Sequence, residues 1–123
     1  MPAQSHRTTQ RHFKALFRVY RGSDIALGPG KVELLGHIAG TGSISEAARK
    51  MGMSYNRAWL LVRTMNHCFK EPLVISSRGG DKHGGAQLTK AGLTVLRLYQ
   101  QLEAKFAKAT REPVREILAR LKT

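Results

Sequence analysis

Six side chains between positions 55 and 67 carry the chemistry most open to use: Tyr55, Asn56, Arg57, Leu60, Arg63 and His67. An asparagine amide can bond two atoms of an adenine edge, an arginine fork can meet both acceptors of guanine, and an apolar tip such as Leu60 can touch a thymine methyl. At about 100° per residue, Asn56, Leu60, Arg63 and His67 fall on one side of a helix, with Tyr55, Arg57, Trp59 and Thr64 on its flanks. The opposite side carries Ala58, Leu61, Val62 and Met65, a stripe to be buried. Trp59 lies at the edge of that stripe and is read as packing against the core or an interface rather than as a base contact.

Other reactive residue types do not assemble. His6, His12, His37, His67 and His83 are dispersed without metal-ligand spacing, and Cys68 has no second cysteine with which to pair. The carboxylates are scattered, so no general acid and base can be matched. Gly28-Pro29-Gly30-Lys31 has a phosphate-loop look, but Ile25 stands where the first glycine belongs and Val32 where Ser or Thr should hold magnesium. No catalytic residue, metal site or cofactor is expected.

Charge supplies the partner class. Lysine plus arginine number 21 against 8 aspartate plus glutamate, a net +13 over 123 residues, and such a field suits a polyanion. The length fits one domain able to bury about two-thirds of its unfolded surface. The start MPAQSHRTTQRH has no apolar core of a signal peptide, and no run is long enough to span a membrane, so a cytoplasmic protein is expected.

The elements that must position these groups follow in order. Residues 1–12 read as a flexible basic arm. Phe13, Ala15, Phe17 and Val19 alternate with polar neighbours as in a half-buried strand, and Arg21 to Asp24 turns the chain. Pro29 opens a helix with Lys31, Leu34, Leu35 and Ile38 on one face, closed by Gly40 to Gly42. Ser43 and Glu46 make a capping box for a two-turn helix ended by Gly52, and Ser54 caps the helix that runs to about Phe69. Leu73 to Ser76 and Gln87 to Thr89 read as short strands joined by the glycine-rich, basic segment Ser77 to Ala86. Thr89 caps a long helix from Lys90 to about Ala109, with Ala91, Val95, Leu98, Tyr99, Leu102 and Phe106 as its stripe. Pro113 interrupts it before a short basic helix, Val114 to Lys122. Leu93 and Leu96 lie off the stripe and call for a partner; with Tyr99, Leu102 and Phe106 they form the expected dimer interface.

Ile44 to Arg63 resembles a bacterial helix-turn-helix, with small Ala48 at the crossing, Gly52 in the turn and Ala47, Met51, Met53, Ala58 and Leu61 as glue. Helix-turn-helix, hairpin and then Leu88-Thr89-x-x-Gly92 is the order of a winged helix. From Gly28 to Phe106 the chain resembles the N-terminal DNA-binding domain of the molybdate-dependent transcriptional regulators, the ModE family, a helix-turn-helix of LysR type. The resemblance rests on GTGSISEAARKMGMSYNRAW (Gly40 to Trp59), LVRTMN (Leu61 to Asn66) and the wing GG…GGAQLTKAG (Gly79 to Gly92).

The resemblance implies a mainly α fold with a small β component: a winged helix-turn-helix over 13–89, then a dimerisation helix and basic tail over 90–123. It implies a homodimer on an inverted-repeat operator in double-stranded DNA. Tyr55, Asn56, Arg57, Leu60 and Arg63 are expected to read bases, and Ser43, Ser54, His67, Arg78, Lys82, His83 and Lys90 to hold the backbone. Two departures stand out. The family's molybdate-binding domains follow this segment, whereas this chain ends at Thr123, so no residue is assigned as an oxyanion sensor and an effector or partner protein stays unidentified. Asp81, Lys82 and His83 make the wing tip bulkier than the family pattern. The rivals are a basic RNA-binding or ribosome-associated protein and a winged-helix protein-protein adaptor.

Overall fold

The structure is a computed structural model describing residues 10–77 and 85–123. Among the described residues nine elements follow in order: β1 (Val19–Arg21), β2 (Asp24–Leu27), α1 (Pro29–Thr41), α2 (Ile44–Lys50), α3 (Tyr55–Cys68), β3 (Val74–Ser77), β4 (Gly85–Leu88), α4 (Lys90–Ala109) and α5 (Arg111–Ala119). β1 pairs antiparallel with β2, and β3 with β4, in two separate two-stranded sheets. The chain is therefore mainly helical with a small antiparallel component, as the sequence led us to expect.

Two compact units are present. The larger, Leu16–Gln101, holds the helix-turn-helix and both hairpins. Its core is Leu34, Leu35 and Ile38 of α1, Ala47 and Ala48 of α2, Ala58, Val62 and Met65 of α3, and Leu73, Val74, Ala86 and Leu88 around the second hairpin. Tyr99 of α4 joins them, and its hydroxyl donates to the Phe17 carbonyl at 2.8 Å. The smaller unit, among the described residues 10–15 with Leu102–Thr123, includes a stack of Phe13 on Phe106 at 6.4 Å between centroids.

Local signals set the helix boundaries. Pro29 stands in the first turn of α1, where its missing N–H has no helical partner to lose, and Gly42 ends that helix at φ +72°. Ser43 Oγ accepts from the Glu46 amide at 3.0 Å and Ser54 Oγ from the Arg57 amide at 3.1 Å. The expected reciprocal half of the Ser43 box does not form. The Ser43 amide donates to Thr41 Oγ1 instead, while the Glu46 carboxylate pairs with Arg49 one turn on. Gly52, at φ +67°, makes the turn between α2 and α3.

Several boundaries differ from the sequence reading. Residues 13–18 are not a strand; the hairpin starts at Val19 and reverses at Gly22, whose φ of +64° suits a tight turn. Residues of β3 and β4 begin and end one or two positions from the expected limits, which pairs Val74 with Leu88 and Ser77 with Gly85. Pro113 does not separate the last two helices. It occupies the first turn of α5, and the break falls at Thr110.

Candidate nucleic-acid interface

The face expected to do the reading is built by burial of its reverse. Ala58, Val62 and Met65 point into the core, with Leu61 half-buried beside them. Tyr55, Asn56, Arg57, Leu60, Arg63 and His67 are all exposed on α3, and Trp59 joins them. α2 packs across α3, and both pack on α1. Alanine at 47 and 48, both buried, permits the close crossing that lets α3 stand proud.

Two hollows flank the exposed ridge. The first, about 200 Å³, is lined by Ser43 and Ser45 at the start of α2, Tyr55 and Trp59 of α3, and Ser76, Ser77 and Gly85 of the second hairpin. The second is lined by Asp24, Leu60, Arg63, Thr64 and His67. Structure thus brings Ser43 and Tyr55 to one side and Leu60, Arg63 and His67 to the other. Lys90 is exposed at the first turn of α4 and lines neither hollow. Arg78, Lys82 and His83 lie outside the described residues.

The second hairpin is fastened to this scaffold by backbone contacts. The Ala86 amide donates to the Gly42 carbonyl at 3.0 Å, so β4 abuts the end of α1. A Cβ on Gly85 would stand 3.0 Å from that same carbonyl, which is why glycine suits the position. Asn66, on the last turns of α3, bonds the backbone of Leu73 and Val74.

Sequence reasoning missed three groups at the site. Trp59 is not packed away: it is 40% exposed, and the Arg63 guanidinium lies 5.2 Å above its ring. Ser45, Ser76 and Ser77 supply hydroxyls to the first hollow, and only the hairpin register brings the last two there. Asp24 places a carboxylate among the basic groups because β2 packs against α3.

Electrostatics at the edge of the site follow burial. Lys31, half-buried in the first turn of α1, has an ammonium pKa lowered from its ordinary value. Burial is the main cause, and the Arg57 charge adds to it; Cys68 and Asp24 act in the opposite direction.

The expected dimer residues divide. Leu93 is exposed, as are Leu98 and Leu102 on the same helix. Tyr99 is a correction: at 3% exposure it lies within the core and offers no surface. Leu96 also packs partly against the core, and Phe106 is engaged with Phe13. At about 100° per residue, positions three apart turn by about 60° at each step, so Leu93 and Leu102 stand on opposite sides of the helix.

No helix among the described residues is long and apolar enough to cross a membrane, and no group of three or more His, Cys, Asp or Glu among them could hold a metal ion.

Residues 30–93 match the family described as bacterial regulatory helix-turn-helix protein, lysR family. The chain is 45% identical over 82 residues to the molybdenum-pterin-binding protein MopB of Rhodobacter capsulatus, covering 67% of this chain and 30% of that protein. It is 39% identical over 84 residues to the molybdenum transport protein ModE of Azotobacter vinelandii, 68% of this chain and 31% of the relative. Against the DNA-binding transcriptional dual regulator ModE of Escherichia coli K12, identity is 42% over 74 residues, 60% of this chain and 28% of the relative. The matching segment thus spans about 30% of the length of these relatives. Among solved structures, ArgP from Mycobacterium tuberculosis aligns over 68% of this chain and 30% of its own, with TM-score 0.50 and 19% identity, a likeness of fold.

Proposed function

The chain belongs to the lysR family of bacterial regulatory helix-turn-helix proteins, a DNA-binding family, and from that premise we propose that it is a sequence-specific transcriptional regulator. In this reading it binds an inverted-repeat operator as a homodimer in the bacterial cytoplasm. Residues 13–89 read DNA and residues 90–123 dimerise. One observation carries the proposal: a basic and amide-bearing ridge stands exposed along α3 while the reverse of the same helix is buried.

α3 enters the major groove, where Asn56, Arg57 and Arg63 meet base edges with Tyr55 and Leu60 beside them. Ser43 and Ser54 have their oxygens engaged as caps, which leaves each hydroxyl proton to donate to a phosphate. His67 and Lys90, with Arg78, Lys82 and His83 on sequence grounds, neutralise the backbone, and the +13 field gathers the duplex. Pairing runs through exposed leucines of α4, with Leu98 and Leu102 one turn apart on one face and Leu93 on another. Molybdenum appears in the names of two of the relatives described above, and no sensing of it is assigned to the residues here.

The test is fluorescence anisotropy of the purified chain on its own upstream duplex, a random duplex and a structured RNA across a salt series. Preference for the upstream duplex at physiological salt supports the reading. Equal binding to all three, or preference for RNA, overturns it and makes charge alone the basis of binding. Light scattering at tens of micromolar tests the dimer, and a monomeric mass ends that part.

A further inference from the structure

Trp59 is the single tryptophan of the chain, and it stands on the exposed ridge rather than in the core. It follows Tyr55 by four residues and precedes Arg63 by four, so the three share one strip of α3. Side chains on a helix lean toward its N-terminus. That lean carries the long Arg63 side chain back over the indole, and the guanidinium carbon lies 5.2 Å from the ring centroid. This is within the range at which a guanidinium is held over the indole face.

Trp59 lines the hollow with the serines, and Arg63 lines the one with Asp24 and His67. Without the indole, Arg63 has several rotamers open to it and a carboxylate, Asp24, in the same hollow to attract it. An arginine reads guanine only when both arms of its fork meet the base edge, so its orientation is part of its specificity.

We infer that Trp59 is a positioning residue for Arg63, its indole face serving as the platform that holds the guanidinium fork ready for a base edge. The inference rests on the proposed reading of DNA by α3. It assigns Trp59 a role in specificity that neither core packing nor general phosphate attraction would supply. Aromatic character is the operative property, since a flat π-face holds the cation and an aliphatic side chain of similar bulk does not.

The experiment begins by selecting a preferred duplex from a randomised duplex pool with the wild-type chain. Affinity is then compared between the selected duplex and a scrambled one for Trp59→Phe, Trp59→Leu, Arg63→Ala and the Trp59→Leu/Arg63→Ala pair. Thermal melting of each variant reports the fold. The expected result is that Trp59→Leu lowers the preference by about 2- to 30-fold, the range of one such contact from exposed to desolvated. Trp59→Phe should retain most of the preference, and the double variant should lose little more than Arg63→Ala alone.

In the free protein, at a temperature where the melting curve shows the variant folded, Arg63→Ala should also shift the emission of Trp59. Additive losses in the double variant, equal preference for Trp59→Leu and wild type, or unchanged emission would each overturn the inference while leaving base reading by α3 intact. If the wild-type chain enriches no sequence from the pool, base reading itself fails and the positioning role falls with it.

Discussion

Asn66 clasps the backbone of Val74 from both sides: its Nδ2 donates to the Val74 carbonyl at 3.0 Å while its Oδ1 accepts from the Val74 amide at 3.2 Å. The same Oδ1 takes the Leu73 amide at 2.8 Å. One side chain near the end of α3 therefore meets three backbone polar groups where the chain turns into β3. Asn66→Ala leaves all three without that partner, and stability should fall by about 2 kcal/mol in urea denaturation. Asn66→Asp keeps the acceptor and loses the donor, so it should fall between. Unchanged stability in Asn66→Ala would remove the clasp as a fastening between α3 and the hairpin.

Glycine at 92 is required for a steric reason. A Cβ there would run into the Leu73 carbonyl, so Gly92→Ala should destabilise by about 1–3 kcal/mol through overpacking. Gly36, in α1, has nothing within 4 Å of its Cβ position, and Gly36→Ala should stabilise by up to about 1 kcal/mol. Thermal melting of the pair checks both, and a gain at both positions would contradict the close approach.

Arg63→Ala is expected to weaken binding to the preferred duplex by about 1–3 kcal/mol with little change on random DNA. Matched losses on the two duplexes would place Arg63 on the backbone instead. Asn56→Ala should behave as Arg63→Ala does, with relaxed discrimination at a different base pair.

Lys82→Ala should weaken binding to all duplexes alike and reduce the slope of log K against log salt by about 1. A slope equal to that of the wild type would take the wing lysine off the phosphates.

Lys31 links stability to alkaline pH. Its folded pKa lies below its ordinary 10.5, so below that folded value the ammonium is present in both states and burdens only the folded one. The burden lifts as pH rises through the folded pKa toward 10.5. Lys31→Met should therefore be more stable than the wild type at pH 7, and the difference should shrink as pH approaches 10.5. Denaturation at a series of pH values checks it; a constant difference would assign the gain to packing rather than to charge.

The helix-turn-helix was legible because its signals are local. Ser43, Gly52 and Ser54 announce caps and a turn within a few residues of where they act, and Ala58, Val62 and Met65 repeat at helical spacing. The errors concern partners distant in sequence. Alternation from Phe13 to Val19 has the period of a strand, yet β1 could form only where β2 met it, and Phe13 found Phe106. Tyr99 looked like interface from its place in a long stripe; its bond to Phe17, 82 positions away, sets it in the core. Trp59, read as packing in the core or at an interface, is not in the core, and only the geometry puts Arg63 over its ring. Pro113 read as a break because proline interrupts helix interiors, while a first-turn proline interrupts nothing.

Residues 72–74 are gripped by two helices at once. Asn66 of α3 binds Leu73 and Val74; on the other side Thr89 Oγ1 donates to the Pro72 carbonyl and accepts from the Gly92 amide, and the Thr89 amide donates to Leu73. Mechanically this is a strut without slack between the helix proposed to read and the start of the helix proposed to pair. Within the larger unit, α3 and the first turn of α4 are thus held to the same three residues. For the dimer proposed above, a change in half-site spacing should therefore weaken binding as a changed base does.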